Sequence, residues 1–92
     1  MSFDNPPEET VINGYKFLML SNACSEQYDV IFGGKKVAYI RLRHGSLTVN
    51  VPDIDGPIFF QHSFGNSQGQ FFDETERKSF LELIQKKLSY RE

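Results

Sequence analysis

The chain has 92 residues, a net charge of −2 and a single cysteine, Cys24. That length admits one domain with one modest core, and the charge supplies no global field to draw nucleic acid or an anionic membrane. One cysteine cannot close an intramolecular disulfide, so a reducing, cytoplasmic setting is the expectation.

Residues 1–10, with Pro6-Pro7 and Glu8-Glu9, read as a flexible segment ahead of a single domain over 11–92. They carry neither the basic start nor the apolar stretch of a signal peptide. The apolar run 17–20 is far too short to span a bilayer, so no membrane association is expected. Asn13-Gly14 suits a type I′ hairpin turn between a short strand, 10–12, and a longer one, 15–20. A polar loop of small residues follows over 21–25.

The stretch 28–51 reads as three antiparallel strands. Gly33-Gly34 makes the first turn, because both residues tolerate positive φ, and His44-Gly45 makes the second. Direct pairing across Gly33-Gly34 sets Val30 opposite Val37, Tyr28 opposite Tyr39 and Glu26 opposite Arg41. Across the second turn, Leu42 meets Leu47 and Ile40 meets Val49. Alternation then divides the meander into two faces. One holds Ile31, Ala38, Ile40, Leu42, Leu47, Val49 and Val51, interrupted only by Asp29 and Lys36. The other mixes Glu26, Tyr28, Val30, Phe32, Val37, Tyr39, Arg41, Arg43, Ser46, Thr48 and Asn50.

Residues 52–57 form a turn, 58–64 a further strand and 65–69 a Gly/Asn/Ser loop. Asp73 with Glu76 fits a capping box and opens the one convincing helix. Phe80, Leu81, Leu83, Ile84 and Leu88 fall on one arc; Lys78, Ser79, Glu82, Gln85 and Lys86 fall on the other. The expected fold is α+β: an antiparallel sheet of about five strands, mostly a meander, with the C-terminal helix packed on its aliphatic face. A closed or half-closed barrel capped by the helix is the alternative.

Motifs for catalysis fail on context. Gly65-Asn66-Ser67-Gln68-Gly69 spells a nucleophile elbow, but the helix starts about six residues after Ser67 and no histidine follows it. Asp53-Ile54-Asp55-Gly56 is a fragment of a calcium loop whose closing glutamate position holds Phe64. Cys24, His44 and His62 lack metal-ligand spacing. No catalytic residue, metal or cofactor is expected; an enzyme using His44 or His62 across a dimer interface is the remote alternative.

Two features point to binding. Tyr28, Tyr39, Arg41 and Arg43 share the mixed face and suit an acidic partner, a phosphate or stacked bases. The competing structural reading pairs Arg41 with Glu26 and Tyr28 with Tyr39 across the strands. The nine Phe and four Tyr give the second feature. With Phe59, Phe60, Phe64, Phe71 and Phe72 crowded near one helix, more aromatic surface is present than that helix can cover. A homodimer, or a standing protein partner, would cover it. The sequence therefore points to a non-enzymatic, self-associating interaction domain, with binding of nucleic acid or another anion through the Tyr/Arg face as the alternative.

Overall fold

A computed structural model of the chain describes residues 9–21, 26–43, 45–64 and 74–90. Six strands form one antiparallel sheet in sequence order: β1 (Glu9–Ile12), β2 (Tyr15–Ser21), β3 (Glu26–Phe32), β4 (Lys35–Arg43), β5 (Ser46–Asn50) and β6 (Ile58–Ser63). One helix, α1 (Glu74–Ser89), follows. The α+β meander expected from the sequence is present, with six strands rather than about five. β1 and β6 lie at the two edges of the sheet. Glu9 and Thr10, read from the sequence as part of the N-terminal segment, belong to β1. Residues 1–8, the loop holding Cys24, His44, the loop holding Ser67, Phe71, Phe72 and Asp73 lie outside the described residues.

Turn chemistry explains the hairpins. Asn13 (φ 49°) and Gly14 (φ 86°) both take the left-handed conformation of a type I′ turn, and Ile12 pairs with Tyr15 across it. Gly33 (φ 62°) and Gly34 (φ 78°) do the same between β3 and β4.

The β3–β4 register differs from direct pairing. Phe32 meets Lys35 and Ile31 meets Lys36, but Val30 then meets Ala38, Tyr28 meets Ile40 and Glu26 meets Leu42. Val37 is thus an extra residue, a bulge. The cause is hydrophobic. Strict alternation from the turn would put Tyr28 and Val30 on the polar face, and one inserted residue returns both to the apolar side. Asp29 and Lys36, the two polar interruptions of the expected aliphatic face, leave it together and form an ion pair of 3.4 Å. β4 and β5 pair as the sequence implies, with Leu42 on Leu47 and Ile40 on Val49.

The core lies between this apolar face and α1. Tyr15, Phe17, Tyr28, Val30, Ile40, Leu42, Leu47 and Val49 meet Leu81, Ile84 and Leu88. The helix is rotated from its expected setting: Leu83 is exposed, while Gln85 is buried. Leu81, Ile84, Gln85 and Leu88 follow the spacing of one helical face, so Gln85 occupies a core position. Its amide oxygen accepts from Asn13 Nδ2 at 2.9 Å, which satisfies that buried polar group from the β1–β2 turn. Much of the aromatic surplus is absorbed at the other end of the core. Phe64, Phe80 and His62 pack against one another, and Lys87 lies over Phe60. Glu74 and Glu76 at the start of α1, and Lys86 and Lys87 at its end, complement the helix dipole. Among the described residues no helix is long and apolar enough to cross a membrane.

Candidate interaction surfaces

The bulge at Val37 splits the four Tyr/Arg residues. Tyr28 sits under α1, fully buried, while Tyr39, Arg41 and Arg43 remain on the face turned away from the helix. Tyr39 is only 4% exposed, and its hydroxyl donates to Gln27 Oε1 at 2.5 Å. It offers no ring face for stacking. Arg41 is half-buried and Arg43 exposed. Neither has a carboxylate within ion-pair distance among the described residues, so the expected Glu26–Arg41 pair does not form. Around them lie uncharged polar side chains: Gln27 and Thr48 pair with Arg41 across the strands, and Ser46 pairs with Arg43.

Glu26 has another partner. It is 0% exposed, at the core-facing end of β3. Arg77 of α1 donates to it twice, from Nε to Oε2 at 2.7 Å and from Nη2 to Oε1 at 3.2 Å. The Tyr28 hydroxyl donates to the same Oε2 at 2.5 Å. Burial first, then this hydrogen bond, holds Tyr28 protonated far above the ordinary tyrosine range. The Glu26 hydrogen bond raises the Arg77 guanidinium in turn. Arg77 also pairs with Glu74 one turn back along α1. The network thus anchors α1 to β3. The sequence carried one sign of it: Glu26 alternates in phase with Tyr28 and Val30.

Asp53 and His62, the other singled-out residues within the described part of the chain, serve structure. Asp53 Oδ1 accepts from the Ile54 N–H at 2.7 Å, which lowers its carboxyl below the usual range, and lies 3.4 Å from Lys36 Nζ. It closes the 52–57 turn. His62 meets Phe64 edge-on at 4.8 Å and Phe80 at a tilt at 5.1 Å. Among the described residues no group of three His, Cys, Asp or Glu side chains converges as a metal site would require.

Among the described residues a concave surface lies along the edge strand β1. A groove of about 330 Å³ runs between Thr10, Val11 and Ile12 on one side and Glu74, Arg77, Lys78, Leu81 and Glu82 on the other. It continues past Ile12 and Asn13 along Glu82, Gln85, Lys86 and Ser89. Ile12 and Leu81 supply its apolar floor. β1 pairs only with β2 among the described strands. Ile12 and Tyr15 flank a two-residue turn and so form a hydrogen-bonded pair. Bonded and non-bonded pairs alternate along an antiparallel ladder. The Val11 N–H and C=O therefore point outward, toward the groove, and its side chain is 59% exposed. Sequence alone does not disclose this site, because β1 is short and its helix wall reads as a solvated face.

The chain matches no protein-family model, no curated protein and no solved structure.

Proposed function

We propose that this chain is a small cytoplasmic, non-catalytic interaction domain that self-associates through the β1 edge of its sheet. The observation that carries the reading is the free β1 edge beside the α1 groove. It joins unspent backbone donors and acceptors to an exposed apolar side chain, Val11. A short edge without a blocking lysine, proline or covering loop among the described residues is a surface that recruits another strand. The single cysteine supports the cytoplasmic setting. Sedimentation equilibrium over a wide concentration range tests the proposal. A dimer that Val11→Pro converts to a folded monomer supports it, since proline removes an outward N–H and leaves the β1–β2 ladder intact. A monomer at every concentration overturns it.

A second reading rests on Arg41 and Arg43. Two guanidinium groups without carboxylates, among Gln27, Ser46 and Thr48, fit a phosphate or another anion, including nucleic acid. Binding to heparin or single-stranded oligonucleotides that weakens with salt, and is lost in Arg41→Ala/Arg43→Ala, supports this reading. Equal, negligible binding by both proteins removes it.

A further inference from the structure

Four charged residues line the groove wall at intervals of one helical repeat: Glu74, Lys78, Glu82 and Lys86. Their signs alternate. Residues four apart on a helix are surface neighbours, so an intrahelical ladder of ion pairs is the ordinary use of such a pattern. The structure does not use it so. Glu74 turns to Arg77, three residues on, and Lys78, Glu82 and Lys86 have no ion-pair partner among the described residues.

We infer that this stripe reads a second copy of the chain, in a two-fold dimer that joins β1 to β1 and lays the two α1 helices antiparallel. This rests on the reading that the β1 edge is the contact. An alternating stripe is self-complementary in antiparallel packing only when the two-fold axis passes midway between unlike charges. Here that point is the level of Phe80, between Lys78 and Glu82. Lys78 then meets Glu82 of the partner subunit, and Glu74 meets Lys86 of the partner subunit, with both contacts repeated by symmetry. An axis at the level of Glu82 would instead set Glu82 against its own copy and Lys78 against a second lysine.

The strand runs beside the same stretch of helix. The part of the groove that touches Thr10, Val11 and Ile12 is walled by Glu74, Arg77, Lys78, Leu81 and Glu82. By the same alternation Glu9 and Val11 are the β1 residues whose backbone groups face outward, and a ladder centred on Val11 makes Val11 with its own copy the central bonded pair. In the proposed dimer one axis serves both elements. The contact closes on itself, whereas pairing β1 to the other edge strand of the described sheet, β6, would be head-to-tail and would propagate.

The test is a charge exchange in the full chain. Lys78→Glu/Lys86→Glu makes the stripe wholly acidic; Glu74→Gln/Glu82→Lys makes it basic and spares Arg77 a neighbouring lysine. Each variant, with its fold checked by circular dichroism, should dimerise roughly tenfold or more weakly than wild type. An equimolar mixture should restore a dimer containing one chain of each. Wild-type association should weaken with added salt, a reading that needs no variant. Variants that dimerise like wild type, a mixture that stays monomeric, or a salt-indifferent wild-type dimer would each overturn the stripe. In those cases Val11→Pro still reports on the edge itself. A monomeric wild type would overturn the edge contact, and the stripe with it.

Discussion

Arg77 of α1 and Glu26 of β3 stand 51 residues apart in the chain and meet through a two-pronged hydrogen bond, Nε to Oε2 at 2.7 Å and Nη2 to Oε1 at 3.2 Å. The carboxylate is wholly buried, and the guanidinium supplies it with a cationic partner. Removing one member of such a pair strands the other charge in the core. Arg77→Met should therefore cost about 3–5 kcal/mol. The double variant Glu26→Met/Arg77→Met, with both charges gone, should recover most of that loss. Urea unfolding of the two singles and the double closes the cycle. A double variant as unstable as Arg77→Met would show that the pair stabilises the fold on balance, beyond compensating itself.

Tyr28 ties the same network to pH. Its hydroxyl stays protonated in the fold well above the ordinary tyrosine pKa of about 10. Below that value folded and unfolded chains both hold the proton, and Tyr28 adds no pH dependence. Above it the unfolded chain releases a proton that the folded chain keeps, so alkali favours unfolding. One such group contributes a slope of about 1.4 kcal/mol per pH unit. Tyr28→Phe should lower stability at neutral pH by about 1.5–3 kcal/mol, through the lost hydrogen bond to a carboxylate. It should also flatten the decline above pH ~10 relative to wild type. Parallel stability curves for the two proteins in alkali would show that Tyr28 titrates normally.

Val37 marks the boundary of what the sequence discloses. Both hairpin turns, the β4–β5 register, the helix and the α+β class follow from Gly and Asn placement and from apolar periodicity. The β3–β4 register does not, because a bulge is a compromise between two local rules. Gly33-Gly34 demands a tight turn, while Tyr28 and Val30 demand the core face, and only the assembled sheet shows which yields. That one residue also moved Tyr28 away from Tyr39, Arg41 and Arg43 and delivered Glu26 to Arg77. The β1 groove escaped for a different reason: it depends on where α1 lies across the sheet, which periodicity leaves open. Deleting Val37 should preserve every observed β3–β4 pair and cost only the contacts of a half-buried valine, about 1 kcal/mol. Deleting Thr48, where no extra residue exists, should send Leu47 or Val49 to the wrong face and abolish cooperative unfolding. Thermal denaturation of the two deletions distinguishes a spare residue from a registered one.

Gly56 tests the turn that joins β5 to β6. Its carbonyl accepts from Asn50 Nδ2 at 2.8 Å, and its N–H donates to the Asp53 carbonyl at 2.8 Å. A Cβ at this position would collide with the Val51 carbonyl oxygen and carbon. Both obstructing atoms are backbone, so no side chain can swing aside. Gly56→Ala should destabilise by about 1–3 kcal/mol, and the strain should open the 52–57 turn before the rest of the sheet. Hydrogen exchange reads this directly, with faster exchange at the Val51 and Gly56 amides and unchanged protection in β2 and β3.

Asn13 joins turn, strand edge and helix in one residue. It holds φ at 49°, and its side-chain amide donates to the buried Gln85 Oε1 at 2.9 Å. The two roles separate by substitution. Asn13→Gly keeps the left-handed turn and removes only the donor, leaving the Gln85 oxygen unsatisfied at a cost of about 1–2 kcal/mol. Asn13→Ala adds the strain of a Cβ in the left-handed region, about 1–2 kcal/mol more. Asn13→Gly/Gln85→Leu should regain the first cost, because an apolar residue then fills the core position between Ile84 and Leu88. Because Asn13 lines the β1 groove, the same three variants separate fold stability from association. Chemical denaturation ranks their stabilities. If β1 is the contact, dimer affinity should fall in Asn13→Ala, where the turn that positions the edge is strained, and hold in the double variant.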